Sequence, residues 1–450
     1  MSLSKFESML KTNNVYFFDA TEFEDIIDYY IEIGKQSLAK KALSLGLEQH
    51  PESSNLLILK AEMLIFDQEF NKAFRLLKRL EAIEPNNAEV YIQQADIYSK
   101  QHDHRKAVEL LDMAIKFTDN LVDVWLLIGM EYIYLNDFNR ARGFFEQCLE
   151  DNPDDFAALF NVVYCFDMQK SSAKAISYLL EFIDTNPYSE IAWHQLGRQY
   201  FNEGQYEEAY RAFDFASLID EAFVGAYVEK AKTLEKLNRP KEAIENYLIS
   251  LDLDDPTSYV FYRVGRCFEK LGDIEKAIKY YAEATVEDPL LEKGWLALAK
   301  CYQGQEDRSK ALYYCQALLN IDSNNFDYLK LYADLSFELA RYDECIESLK
   351  ACLKLNEDDL DVWLKLIDSM VLSGLNTSAL AYTEMGLKIH MNTAALTYRL
   401  GALHYLHGNQ DLGTLILEKA KDQDPEYILL IREVFPELFL KNYQDLNPRA

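Results

Sequence analysis

Arg198, Lys232, Arg266 and Lys300 stand 34 residues apart in a chain of formal net charge −29. Near them in sequence lie His194, Phe201, Asn202, Tyr259, Tyr262 and Arg263. Guanidinium and ammonium groups beside aromatic rings suit a carboxylate or a phosphate. These residues are therefore candidates for binding an acidic peptide, a C-terminal carboxylate or a phosphorylated segment. The opposing expectation is a self-neutralised face, with the cations paired to acids such as Glu229, Glu235 and Glu269. Residues 190–325 hold 16 Lys and Arg against 24 Asp and Glu. The signal thus lies in placement and not in composition.

Other chemistry is sparse. The metal candidates are His102 with His104, which lie in a turn and read as solvated polar residues, and His404 with His407, which lack an evident third ligand and read as helix packing. No P-loop, GxGxxG, GxSxG or HExxH occurs, and the acidic stretches lack the central glycine of a calcium loop. The reading is of a protein that is not an enzyme, with no metal and no cofactor. The acidic balance argues against nucleic acid, which needs clustered cations to displace counterions. No apolar run is long enough to cross a membrane, and the amino terminus shows no secretory pattern. Seven cysteines without a CxxC pair read as buried free thiols in a reducing, cytoplasmic setting.

The 34-residue interval runs through the chain. The tryptophans Trp125, Trp193, Trp295 and Trp363 are separated by multiples of it. Four residues after that column come small residues, among them Ala95, Gly129, Gly197, Gly265 and Ala333. Seven after it come Tyr98, Tyr132, Phe166, Tyr200, Phe268 and Tyr302. A further column reads alanine from Ala39 to Ala311, then Cys345 and Ala379, and prolines recur from Pro51 to Pro425. Each unit predicts two amphipathic helices joined by a short polar turn. Gly197 and Ala209, one on each helix of a unit, are expected to let the two helices approach closely.

These columns resemble the tetratricopeptide repeat family. Trp193, Leu196, Gly197 and Tyr200 match its W-x2-L-G-x2-Y signature in full, and the resemblance spans about residues 20–427. It implies an all-α fold, a right-handed superhelical solenoid of about twelve helix-turn-helix repeats. The expected organisation is a leader over 1–19, a degenerate first repeat over 20–53, eleven tandem repeats over 54–427 and a C-terminal capping helix over 428–450. By the same resemblance, position 9 of each first helix faces a concave groove. That position is occupied by Arg198, Lys232, Arg266 and Lys300 in consecutive units, with acids before and after them. The family's carboxylate clamp is not matched, because Lys330 is followed by Asp334 where asparagine is required. The implied function is a scaffold or adaptor binding a protein or peptide in the groove. The alternatives are an accessory subunit of an enzyme assembly and single-stranded RNA binding, the latter disfavoured by so few cations.

Overall fold

A computed structural model describes residues 2–12, 16–254 and 257–440. Every regular element among them is helical. First helices of successive pairs begin at residues 20, 54, 88, 121, 156 and 190, and second helices at 36, 70, 104, 138, 172 and 206; the same pitch continues to the pair Ala394–Leu406 and Gln410–Gln423. The chain divides into two compact units, residues 1–226 and 227–450. Within each unit the substantial helix contacts join elements close in sequence, and first helices of successive pairs also touch.

Side chains at fixed positions start and stop these helices. Ser53, Asp155, Ser189, Thr257 and Asp359 cap first helices by accepting a hydrogen bond from the backbone three residues on. Asp103, Asp137, Asp273 and Asp307 do the same for second helices. Each also pairs with a cation three residues later, as in Asp103–Lys106 at 2.9 Å and Asp307–Lys310 at 3.1 Å. That cation lies over the aromatic column, Lys106 on Tyr98 and Lys310 on Tyr302.

The turn inside each pair reverses through one residue with positive φ. These residues are 34, 68, 102, 136, 170, 204, 238, 272, 306, 340, 374 and 408, every one a multiple of 34. Five are glycine; the rest include Lys170, Glu306 and Ala340, which carry a Cβ where it is disfavoured. Two backbone hydrogen bonds close the turn around this residue, as in Ala340 N–H to Phe337 O and Arg341 N–H to Ser336 O. His102, read as a polar turn residue, occupies this position. His104 instead pairs with buried Glu131 at 2.8 Å and stacks on Tyr134.

The small-residue column makes the expected close contact between the two helices, and a ring supplies it. A Cβ on Gly197 would lie 2.7 Å from the ring of Phe213 on the second helix, and Ala209 is not among its nearest neighbours. The glycine makes room for a ring, and the helices meet through that ring. Gly129 faces Phe145 and Gly265 faces Tyr281 in the same way.

Both ends differ from the regular pairs. Helix Ser2–Thr12 buries Phe6 and Met9 against Phe18, Phe23 and Tyr30. After the last pair, the described part of 428–450 forms a 3-10 turn Tyr427–Ile431 and a short helix Glu437–Leu440. Pro436 separates them, its missing N–H interrupting a continuous helix; residues 441–450 lie outside the described set.

Candidate functional site

The named residues fall in both units. His194, Arg198 and Asn202 belong to the first, on helix Glu190–Asn202. His194 packs near the rings of Phe213 and Phe223, and Arg198 donates to Gln195 Oε1 at 3.4 Å. Asn202 is exposed at the helix end.

The second unit holds Lys232, Tyr259, Tyr262, Arg263, Arg266 and Lys300. Lys232 pairs with Glu229 at 2.8 Å. Arg263 pairs with Glu235 at 2.7 Å, both groups largely buried, and donates to the Tyr247 hydroxyl at 3.2 Å. Neutralisation by Glu229 and Glu235 is thus realised for these two cations. Glu269 accepts from the Tyr281 hydroxyl at 2.5 Å and forms no salt bridge among the described residues. Arg266 and Lys300 are exposed and carry no ion pair among the described residues.

The reason lies in a rung pattern between successive first helices. A side chain at position 6 of one helix reaches position 9 of the helix before it, 31 residues back. Gln93 reaches Glu62 at 3.0 Å, Arg399 reaches Asp368 at 2.6 Å, and Lys365 bridges to Asp334. For Arg266 and Lys300 the residues 31 places on are Ala297 and Leu331. Neither can supply a charge, so these cations face solvent.

Arg263 and Arg266 line a depression of about 550 Å³ together with Glu235, Glu269, Lys236 and Lys270. Lys300 does not line it. Both carboxylates already accept hydrogen bonds from tyrosine hydroxyls, and Glu235 also holds Arg263. Arg266, Lys236 and Lys270 remain exposed. Lys236 and Lys270 end their helices, where the dipole favours a cation. Tyr259 is 43 % exposed, and Arg263 lies 5.7 Å from its ring centroid. Tyr262 packs on Tyr281 at 5.6 Å and lies partly buried against the core. Lys330 pairs with Asp359 at 2.7 Å.

Lys236 and Lys270 escaped the sequence reading, although they continue the 34-residue column of Asn202.

Helix pairs at constant pitch, each presenting one face of its first helix, define a helical-repeat scaffold for protein interaction. More particularly, the chain is similar to tetratricopeptide repeat proteins: models of that family match residues 126–190 and 228–292, and again 329–359. It is similar to the TPR repeat-containing protein YpiA of Bacillus subtilis, 22 % identical over 76 % of this chain and 82 % of that one. It is also similar to human tetratricopeptide repeat protein 21B, at 23 % identity over 67 % of this chain, but spans 25 % of that protein's length. Among solved structures, a chain of the APC/C hetero-tetramer Cut9–Hcn1 aligns over 89 % of this chain and 92 % of its own, with 16 % identity and a TM-score of 0.33. YrrB, described as a TPR protein with an unusual peptide-binding site, aligns over 41 % of this chain and 94 % of its own, with 17 % identity and a TM-score of 0.36.

Among the described residues, no group of His, Cys, Asp and Glu is placed to hold a metal ion, and no helix is long and apolar enough to cross a membrane.

Proposed function

We propose that the protein is a non-catalytic adaptor whose second unit binds an acidic or C-terminal segment of a partner protein at Arg266, Lys236 and Lys270. The observation that carries this reading is the exposed state of these cations beside two carboxylates already hydrogen-bonded within the protein. An incoming carboxylate or phosphate would meet positive charge without first breaking an internal ion pair of those three residues. Tyr259, 43 % exposed, offers an apolar surface at the same helix. The seven cysteines, all free and buried, support a cytoplasmic setting.

The test is comparative capture with the full chain. Wild type and the double variant Arg266→Glu, Lys270→Glu are used as bait, and bound proteins are identified by mass spectrometry. Neither residue has an ion pair to lose, so the melting temperature should stay near wild type while specific partners disappear. If the folded double variant retained the same partners, the site would be wrong. Salt titration of a recovered partner segment also separates this reading from RNA binding, which gives a log–log slope that grows with each neutralised phosphate.

A further inference from the structure

The first unit carries a second concave feature of opposite character. Ile31, Gln36, Ala39, Lys40, Glu62, Met63 and Phe66 line a cavity of about 210 Å³. A void on the order of 150 Å³ admits a benzene ring, so there is room for one large apolar side chain. Phe66 is 65 % exposed and Ile31 45 % exposed, although both are large and apolar. A second depression adjoins this one through Lys40 and Met63.

The charge around the cavity is one-sided. Lys40, its only cation, is bound to Asp67 at 2.5 Å. Glu62 receives its hydrogen bond from the neutral Gln93 amide, which also bonds Glu89 at 2.8 Å. Asp28, Glu62 and Glu89 form no salt bridge among the described residues, and Asp96 pairs with Lys100 at 2.7 Å. Burial, together with the carboxylates of Glu89, Asp28 and Asp96, pushes the Glu62 carboxyl up to about 7.

We infer that this cavity docks a basic segment of a partner protein, with a large apolar side chain against Ile31, Met63 and Phe66 and a neighbouring Lys or Arg at Glu62. The apolar contact gives anchoring and the carboxylates give the sign of the selectivity. The inference is independent of the site at Arg266, which prefers the opposite charge.

A displayed library of random nonapeptides, panned on the full chain, reads the preference directly. Peptides enriched on wild type relative to the variant Glu62→Lys, Phe66→Ser should carry Phe, Leu or Trp within two residues of Lys or Arg. Titrated one by one, such peptides should bind Glu62→Gln and Phe66→Ser each about tenfold more weakly than wild type, with binding to Arg266→Glu unchanged. Phe66 is mostly exposed, and Glu62 stands among like charges, so both variants should stay folded, which melting curves verify. Identical enrichment on wild type and variant overturns the inference, as does enrichment of acidic sequences only, or of none. Concentration-dependent dimerisation abolished by Phe66→Ser would overturn it too, by assigning the cavity to a second copy of the chain.

Discussion

Gly197 lies under the ring of Phe213, sixteen residues ahead of it, so closely that a Cβ would fall 2.7 Å from two ring carbons. The same two positions hold Gly129 with Phe145 and Gly265 with Tyr281. In other units they hold Ala61 with Leu77, Ala95 with Leu111 and Ala333 with Leu349. Glycine accompanies a ring in the first set, and alanine accompanies leucine in the second. Val163 with Leu179, Ala231 with Tyr247, Ala299 with Cys315, Ile367 with Thr383 and Gly401 with Leu417 depart from the rule.

This size matching predicts a double-mutant result. Gly197→Ala should destabilise by about 1–3 kcal/mol through overpacking, and Phe213→Leu by about 1–3 kcal/mol through the cavity it opens. Together they rebuild the pairing seen at 61 and 77, so the double variant should lose clearly less than the sum. Urea midpoints of the four proteins measure the coupling; strict additivity would refute the match. Gly197→Leu has no such rescue and should be severely destabilising.

Ala340 has φ of +56° at a position where five other units use glycine. Ala340→Gly should therefore stabilise, by about 0.5–1 kcal/mol, since the glycine relieves a left-handed Cβ. Gly374, with φ of +82° and open space around it, is the converse: Gly374→Ala should cost about 1 kcal/mol from backbone strain alone. Equal midpoints for Ala340→Gly and wild type would contradict the turn assignment.

The carboxyl of Glu62 titrates at about 7 in the folded chain, above its ordinary 4.5, through burial first and then Glu89, Asp28 and Asp96. The folded state therefore binds this proton more tightly than the unfolded state. Its contribution to stability is fully present below about 4.5 and is lost as pH rises through 7. Glu62→Gln removes the charge, so it should be more stable than wild type at pH 8, by about 1–2 kcal/mol once solvent screening is allowed for. Near pH 4.5 the two should converge. A difference that does not change with pH would rule out this titration.

All seven cysteines are free and buried. Burial pushes the thiols of Cys267 and Cys315 up to about 12, and those of Cys148 and Cys301 up to about 11. Maleimide labelling at pH 7 should be slow in the native protein and complete in denaturant. Reductant should leave the melting temperature unchanged. Rapid native labelling of any cysteine would show local opening at that helix.

The helix positions were legible because the columns are. A unit with Trp193, Gly197 and Tyr200 in register fixes where its first helix lies, and the capping residues Ser53, Asp155 and Ser189 fix where such helices start. The partner of Gly197 was not legible, since which of two buried columns a glycine faces depends on how the helices cross. The pairing of Lys232 with Glu229 follows from three-residue spacing on one helix. Arg263 with Glu235 joins two helices, 28 residues apart, and only three-dimensional packing reveals it. Lys236 and Lys270 went unseen because the column was read at its most evident member, Asn202, where it is neutral.

The constant pitch of the helix pairs also has a mechanical meaning. Helix pairs that lean chiefly on their immediate neighbours transmit a pulling force in series. A chain held at both ends and stretched should give way one pair after another. Each yielded pair frees 34 residues, a contour of roughly 115 Å when extended at about 3.4 Å per residue. The unbroken spacing from Pro51 to Pro425 would make successive extensions nearly equal, so the force trace would resemble an evenly divided ruler.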